Sequence, residues 1–186
     1  MMVDAYGDTK TIIVTGSSSL HLIDATNEPL TGRKRILGVS QATVERYIDL
    51  LEKSFIIFQV RSYYTNKTKE VTKMKKIYFY DLGVRNAILR SFQPLHLRAD
   101  LGALFENFFI LERRKQLSYE ISLREQHFWR TQTQQEIDLV EIDHTIADAY
   151  EIKWAPQRYT VPTEWQMKYP DTVPILITHE NFWEYL

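Results

Sequence analysis

Apolar and polar positions alternate most regularly between Glu136 and Trp154. Glu-Ile-Asp-Leu-Val-Glu-Ile-Asp is followed by a polar break at His144-Thr145, then by Ile-Ala-Asp-Ala-Tyr-Glu-Ile-Lys-Trp. Period 2 with β-branched residues predicts two paired strands. Helical periods occur elsewhere. Ser40 is placed to cap a helix running through Lys53, with Val44, Ile48 and Leu51 as its buried stripe and Tyr47 at the edge. A short helix is expected after Asp81-Leu-Gly, from residue 84 to about 90, and Pro94 breaks the chain beyond it. The longest helical pattern covers residues 100–117, with Leu101, Leu104, Phe105, Phe108 and Leu111 as its apolar stripe, widened by Phe109 and Ile110. Glu106 lies outside the main line of that stripe. It is either a solvated residue or, if the helix is rotated, one turned toward a sheet.

Strand-like runs fill the gaps: Thr11-Ile-Ile-Val-Thr, stopped by Gly16-Ser-Ser-Ser, then residues 55–64, 76–81, 126–131 and 174–178. A polar-aromatic helix is expected near residues 163–168, and a turn at Phe182-Trp-Glu-Tyr-Leu. The fold class is α/β (α+β): a helix with two strands first, then helix, three strands, helix and strand.

At 186 residues and 22.1 kDa the chain can bury a core as one domain or two small ones. Its 25% charged and 44% hydrophobic residues are a globular composition. Without cysteine, neither disulfides, thiolate metal sites nor cysteine nucleophiles are available, and the five histidines lack ligand spacing. No signal-peptide pattern opens the chain and no apolar run approaches the ~20 residues of a membrane span, so a soluble cytoplasmic protein without membrane partners is expected. The net charge of −1 hides an asymmetry: residues 33–76 hold eleven of the 23 Lys and Arg against four acids. That local excess predicts a polyanionic partner.

Two features carry candidate chemistry. In extended chain Glu136 and Asp138 share one face, as do Glu151 and Lys153, so adjacent strands can present Asp138, Glu151 and Lys153 to one spot. Two carboxylates can hold Mg²⁺ or Mn²⁺, and an ammonium beside them can orient a water or a phosphate oxygen, which is phosphodiester chemistry. The same pattern also describes a hairpin with ordinary charges on a wet face. The second feature is a basic loop, with Lys67, Lys69, Lys73, Lys75 and Lys76, between two strands that follow a helix. Gly-Val-Ser-Gln-Ala-Thr-Val-Glu-Arg-Tyr, which carries Arg46, resembles the recognition helix of a winged helix. Such a unit puts its helix in a groove and its loop on phosphates, making DNA the expected partner. Docking to a protein, or self-association, is the alternative.

The run Ile12-Ile-Val-Thr-Gly-Ser-Ser-Ser-Leu, followed by Glu28-Pro-Leu-Thr-Gly-Arg-Lys, resembles a segment of prokaryotic AAA-type ATPases. There a sensor role would fall on Thr15 or Ser17 and a finger role on Arg33. This chain has no Gly-x-x-x-x-Gly-Lys-Ser/Thr loop, so residues 1–35 read as an ATPase remnant with ATP not a cofactor. Across residues 38–186 the chain resembles the C-terminal module of the same ATPases, grouped as a domain of unknown function. The resemblance rests on Tyr47-Ile-Asp-Leu-Leu-Glu-Lys, Tyr78-Phe-Tyr-Asp-Leu-Gly-Val-Arg-Asn, Gly102-Ala-Leu-Phe-Glu-Asn, Phe128-Trp-Arg-Thr, Glu136-Ile-Asp-Leu-Val and Glu151-Ile-Lys-Trp. It implies a winged-helix-like section at 36–92 and a restriction-endonuclease-like PD-(D/E)xK domain at 93–186. The implied signature is Glu106 on a helix, Asp138 on a strand and Glu151-x-Lys153 on the next, with Ile137 in place of the signature proline. Three functions stay open: a metal-dependent nuclease, a nucleic-acid- or protein-binding module, and an inert remnant.

Overall fold

The computed structural model describes residues 40–63, 74–131 and 133–186, together with two paired two-residue strands, β1 (Met2–Val3) and β2 (Ile12–Ile13). Thr15, Ser17 and Arg33 lie outside the described residues, as do Lys67, Lys69 and Lys73.

The first helix, α1 (Gln41–Lys53), starts where Ser40 accepts a bond from the Thr43 amide at 3.1 Å. Ile48 is its buried residue, and Val44 packs beside it. Leu51 is 37% exposed, contrary to the expected three-residue stripe. The helix packs on a small cluster of Ile57, Ile77 and Phe79 through Ile48 and Val44. The antiparallel pair β3 (Ile57–Ser62) and β4 (Lys75–Phe79) follows. Asp81 then caps α2 (Leu82–Leu89) by accepting from the Val84 amide at 2.8 Å. A Cβ at Gly83 would meet that same carboxylate at 2.9 Å, which accounts for the Asp-Leu-Gly run.

After α2 come α3 (Leu101–Tyr119), β5 (Glu125–Arg130), β6 (Glu136–Asp143), β7 (Thr145–Ile152), α4 (Thr163–Lys168) and β8 (Ile175–Ile177). One six-stranded sheet has the order β4-β3-β5-β6-β7-β8. The β3/β5 and β7/β8 pairs are parallel and the others antiparallel, giving a mixed α+β fold. The hairpin expected as the wing of a separate unit is therefore an edge of the same sheet that carries β5 to β8, and the sheet runs across the expected boundary at 92/93. The seam is narrow: Arg61 faces His127, Ser62 faces Phe128, and the Tyr63 amide bonds the Phe128 carbonyl at 2.6 Å.

Helix α3 covers one face, burying Phe105, Phe109, Ile110 and Leu111 against Phe58, Tyr78, Leu139 and Tyr150. On the opposite face Trp129, Ile137, Val140 and Ala149 pack on Trp165 of α4. The buried residues of α3 are Ala103, Phe105, Glu106, Asn107, Phe109, Ile110, Leu111 and Leu117, while Leu101, Leu104 and Phe108 are half-buried. Two polar residues sit at its centre because edge strand β4 has polar needs. The Asn107 side chain accepts from the Phe79 amide and donates to the Phe79 carbonyl, both at 2.9 Å, standing in for a missing neighbouring strand.

Candidate functional site

Hairpin β6–β7 builds the floor of the site. His144 turns the chain at φ 59°, a conformation histidine tolerates better than most residues. The register pairs Leu139 with Tyr150, which puts Asp138 and Glu151 side by side one residue further on. The Ile152 amide donates to Asp138 Oδ2 at 3.0 Å, and the Lys153 amide donates to the Ile177 carbonyl at 2.9 Å. Backbone thus fixes both ends of the cluster. Lys153 Nζ lies 3.2 Å from Asp138 Oδ2 and 2.6 Å from Glu151 Oε1.

Glu106 enters from α3. It accepts from the Tyr78 hydroxyl at 2.6 Å and from Lys76 Nζ at 3.0 Å. Lys76 Nζ also reaches Asp138 Oδ1 at 3.1 Å and contacts Glu136 Oε1. Glu106, Asp138, Glu151 and Lys153 therefore meet in one cluster, whose carboxylates are 6%, 6% and 8% exposed in that order.

Lys76 departs from the sequence reading, which grouped it with the loop lysines on phosphates. It is 1% exposed and bonded to carboxylates, so it offers nothing to a phosphate from the surface. Consecutive strand residues face opposite ways, which separates Lys76 from the half-buried Lys75 beside it. Arg46 is exposed on α1. Tyr78 and Glu136 also belong to the cluster. The signal for Tyr78 was its period-2 spacing from Lys76.

The electrostatics are those of a crowded anionic site. Fully ionised, Glu106, Glu136, Asp138 and Glu151 outnumber Lys76, Lys153 and Arg130, whose Nε lies 3.6 Å from Glu136 Oε2, by one charge. Burial, then the charge of Asp138, pushes Glu151 up to about 7. Burial also raises Glu106. Burial alone would raise Asp138, but Lys76, Lys153 and the Ile152 amide hold it below the usual carboxylate range. Lys76 is raised well above an ordinary lysine, since Glu106, Tyr78, Asp138 and Glu136 overcome the opposing effect of burial. Glu151 Oε2 is buried with no hydrogen-bond partner. A cleft of about 670 Å³ leads to this place, lined by Arg85, Ser91, Asp100, Glu106, Lys153 and Trp154.

Among the described residues no group of three or more His, Cys, Asp and Glu is spaced to hold a metal ion. Two carboxylates and a carbonyl would be the protein's whole share, which suits magnesium because it retains several waters. The orphaned Glu151 oxygen and the excess negative charge fit one divalent cation. Lys76 and Lys153, already on both Asp138 oxygens, oppose it.

The class defined by fold and site is thus an α+β domain whose mixed sheet carries a buried carboxylate–lysine cluster beside a cleft that Glu106 and Lys153 line. Residues 101–165 match the family model described as Domain of unknown function (DUF4143), and residues 30–95 match Domain of unknown function (DUF8612). The chain is 32% identical over 107 residues to uncharacterized proteins of Mycobacterium bovis and Mycobacterium tuberculosis. That match covers 56% of this chain and 23% of each relative, so the chain spans about a quarter of their length. No solved structure matches the chain. No helix among the described residues is long and apolar enough to cross a membrane.

Proposed function

We propose that this chain is a nuclease-like module of a AAA-type ATPase-related protein, with a site for divalent-metal-assisted phosphodiester cleavage. The convergence of Glu106, Asp138, Glu151 and Lys153 beside a cleft that Glu106 and Lys153 line carries this reading. The DUF4143 match and the motifs quoted above support its wider context. Asp138 and Glu151, with the Ile152 carbonyl, would hold Mg²⁺ or Mn²⁺. When bound, such an ion lowers the pKa of a coordinated water and offsets charge on a phosphate. Lys153, with its side chain 38% exposed at the cleft, is placed to orient a phosphate oxygen. Tyr78 fixes Glu106 by donating to it. Exposed Arg46 and the basic section at residues 33–76 would gather DNA by salt-sensitive phosphate contacts.

The test is thermal unfolding with and without manganese, on the native chain and on Asp138→Ala, followed by incubation with plasmid DNA and RNA. Metal should stabilise the native chain alone, because a ligand that binds only the folded state raises its stability. No gain, or an equal gain in the variant, refutes the metal site. A manganese-stabilised protein that nicks neither substrate refutes the nuclease and leaves a binding module.

A further inference from the structure

Lys76 is the most buried charge in the cluster and comes from an unexpected part of the chain. It lies on β4, in the edge hairpin, whereas its partners lie on α3 and β6, 30 and 62 positions away for Glu106 and Asp138. An ammonium has three protons to donate. Lys76 meets three carboxylates, Glu106, Asp138 and Glu136, with the Phe128 ring centroid 5.4 Å from its nitrogen. Its hydrogen-bonding capacity is therefore filled by anions. Asp138 is engaged at both oxygens: Oδ1 by Lys76, Oδ2 by Lys153 and the Ile152 amide.

A divalent cation shared by Asp138 and Glu151 must bind Asp138 oxygens on which these lysines already sit. It must also sit near a charge of its own sign in a site with little water to screen it. At Asp138 itself, Lys76 and a divalent ion would set three positive charges against one carboxylate. The same residues lack that conflict if the ammonium withdraws when metal enters.

We propose that Lys76 is a tethered cation that occupies the carboxylates in the metal-free protein and competes with divalent metal for Asp138 Oδ1. This rests on the metal-site reading above and adds to it a residue that sets metal affinity. Lys76 is a positioning residue, since it acts through the carboxylates and lies away from the cleft lining. Because linkage is reciprocal, metal must loosen Lys76 as much as Lys76 weakens metal.

The experiment has two arms. In the first, Mn²⁺ is titrated into the native chain, Lys76→Met and Asp138→Asn, and free ion is followed by electron paramagnetic resonance. Lys76→Met should bind manganese about tenfold or more tightly than the native chain, a usual size for coupling between two ligands. In the second arm the native chain is acetylated at lysine in the presence of chelator or of manganese, and modified sites are read by mass spectrometry. Lys76 should be protected in chelator and become modified in manganese, while Asp138→Asn shows no such change. This arm needs no Lys76 variant, so it decides the matter even if Lys76→Met folds poorly. Equal manganese affinity with Lys76 protected throughout overturns the tethered cation and leaves the metal site standing. If neither the native chain nor folded Lys76→Met binds manganese, the metal-site reading falls and takes this one with it. Binding by Lys76→Met alone supports the competition and shows that the lysine wins in the native chain.

Discussion

Glu141 offers a severe test of how this sheet is held. Its side chain is 0% exposed at the centre of β6, yet it is a carboxylate. It survives there because Arg113 of α3 grips it twice, Nε to Oε1 at 2.9 Å and Nη2 to Oε2 at 2.5 Å. The same guanidinium donates to the Tyr185 carbonyl at 2.7 Å, tying the helix to the terminal turn. Arg124 stands 3.6 Å from Glu141 but is engaged by Asp148 at 2.7 Å, so losing Glu141 strands Arg113 alone. Glu141→Leu should therefore cost about 3–5 kcal/mol, the usual result of leaving one member of a buried pair uncompensated. With total stabilities of about 5–15 kcal/mol, that is a large share. Replacing both as Glu141→Leu with Arg113→Met removes the stranded charge and should recover about 1–3 kcal/mol relative to the sum of the single changes. Urea unfolding of the four proteins gives the cycle, with unchanged slopes confirming that only stability moved. A single change costing under about 1 kcal/mol, or strict additivity, would refute the buried-pair reasoning.

Two further outcomes follow from the same bonds. Asn107→Ala should cost about 1–3 kcal/mol by leaving the Phe79 amide and carbonyl unpaired, and should speed exchange of the Phe79 amide hydrogen; unchanged exchange would mean that the edge is not held there. Glu151 lies at about 7 in the folded protein against 4.5 ordinarily, so between those values the folded state keeps a proton that the unfolded chain has lost. In chelator, stability should then fall as pH rises across that window, and Glu151→Gln should flatten the slope; equal slopes would sink the assignment.

Legibility in the sequence tracked how local each interaction is. The β6–β7 hairpin was readable because apolar and acidic residues alternate on both sides of one break, with β-branched residues among them. The α1 cap and the α4 span were readable from Ser40 and from the polar-aromatic run at 163–168. Asp138 with Glu151-x-Lys153 followed from strand spacing, and Glu106 followed from family resemblance. The orientation of α3 was not readable, because Glu106 and Asn107 occupy the middle of its buried face and break the apolar stripe. Lys76 was hidden by its neighbours: beside Lys73 and Lys75 it looks like loop charge, and its true partners are distant in sequence. The Arg113–Glu141 bridge was hidden the same way, 28 positions apart.

These misplacements share a cause that bears on what the working unit is. The two matched family regions end at residue 95 and begin at residue 101, as if two modules were joined there. The cluster takes Lys76 and Tyr78 from the first region and Glu106, Glu136, Asp138, Glu151 and Lys153 from the second. Among the described residues the sheet is joined across that division at the short β3–β5 seam, while Asn107 clasps the outer edge of β4. The two regions also share an apolar core, in which Phe58, Val60 and Tyr78 pack with Phe105, Phe109 and Phe128, and a carboxylate set left without Lys76 would carry still more unbalanced negative charge. Neither region alone therefore holds the site in the form seen here. The edge hairpin completes the cluster, because it brings Lys76 and Tyr78 to Glu106 and Lys76 to Asp138.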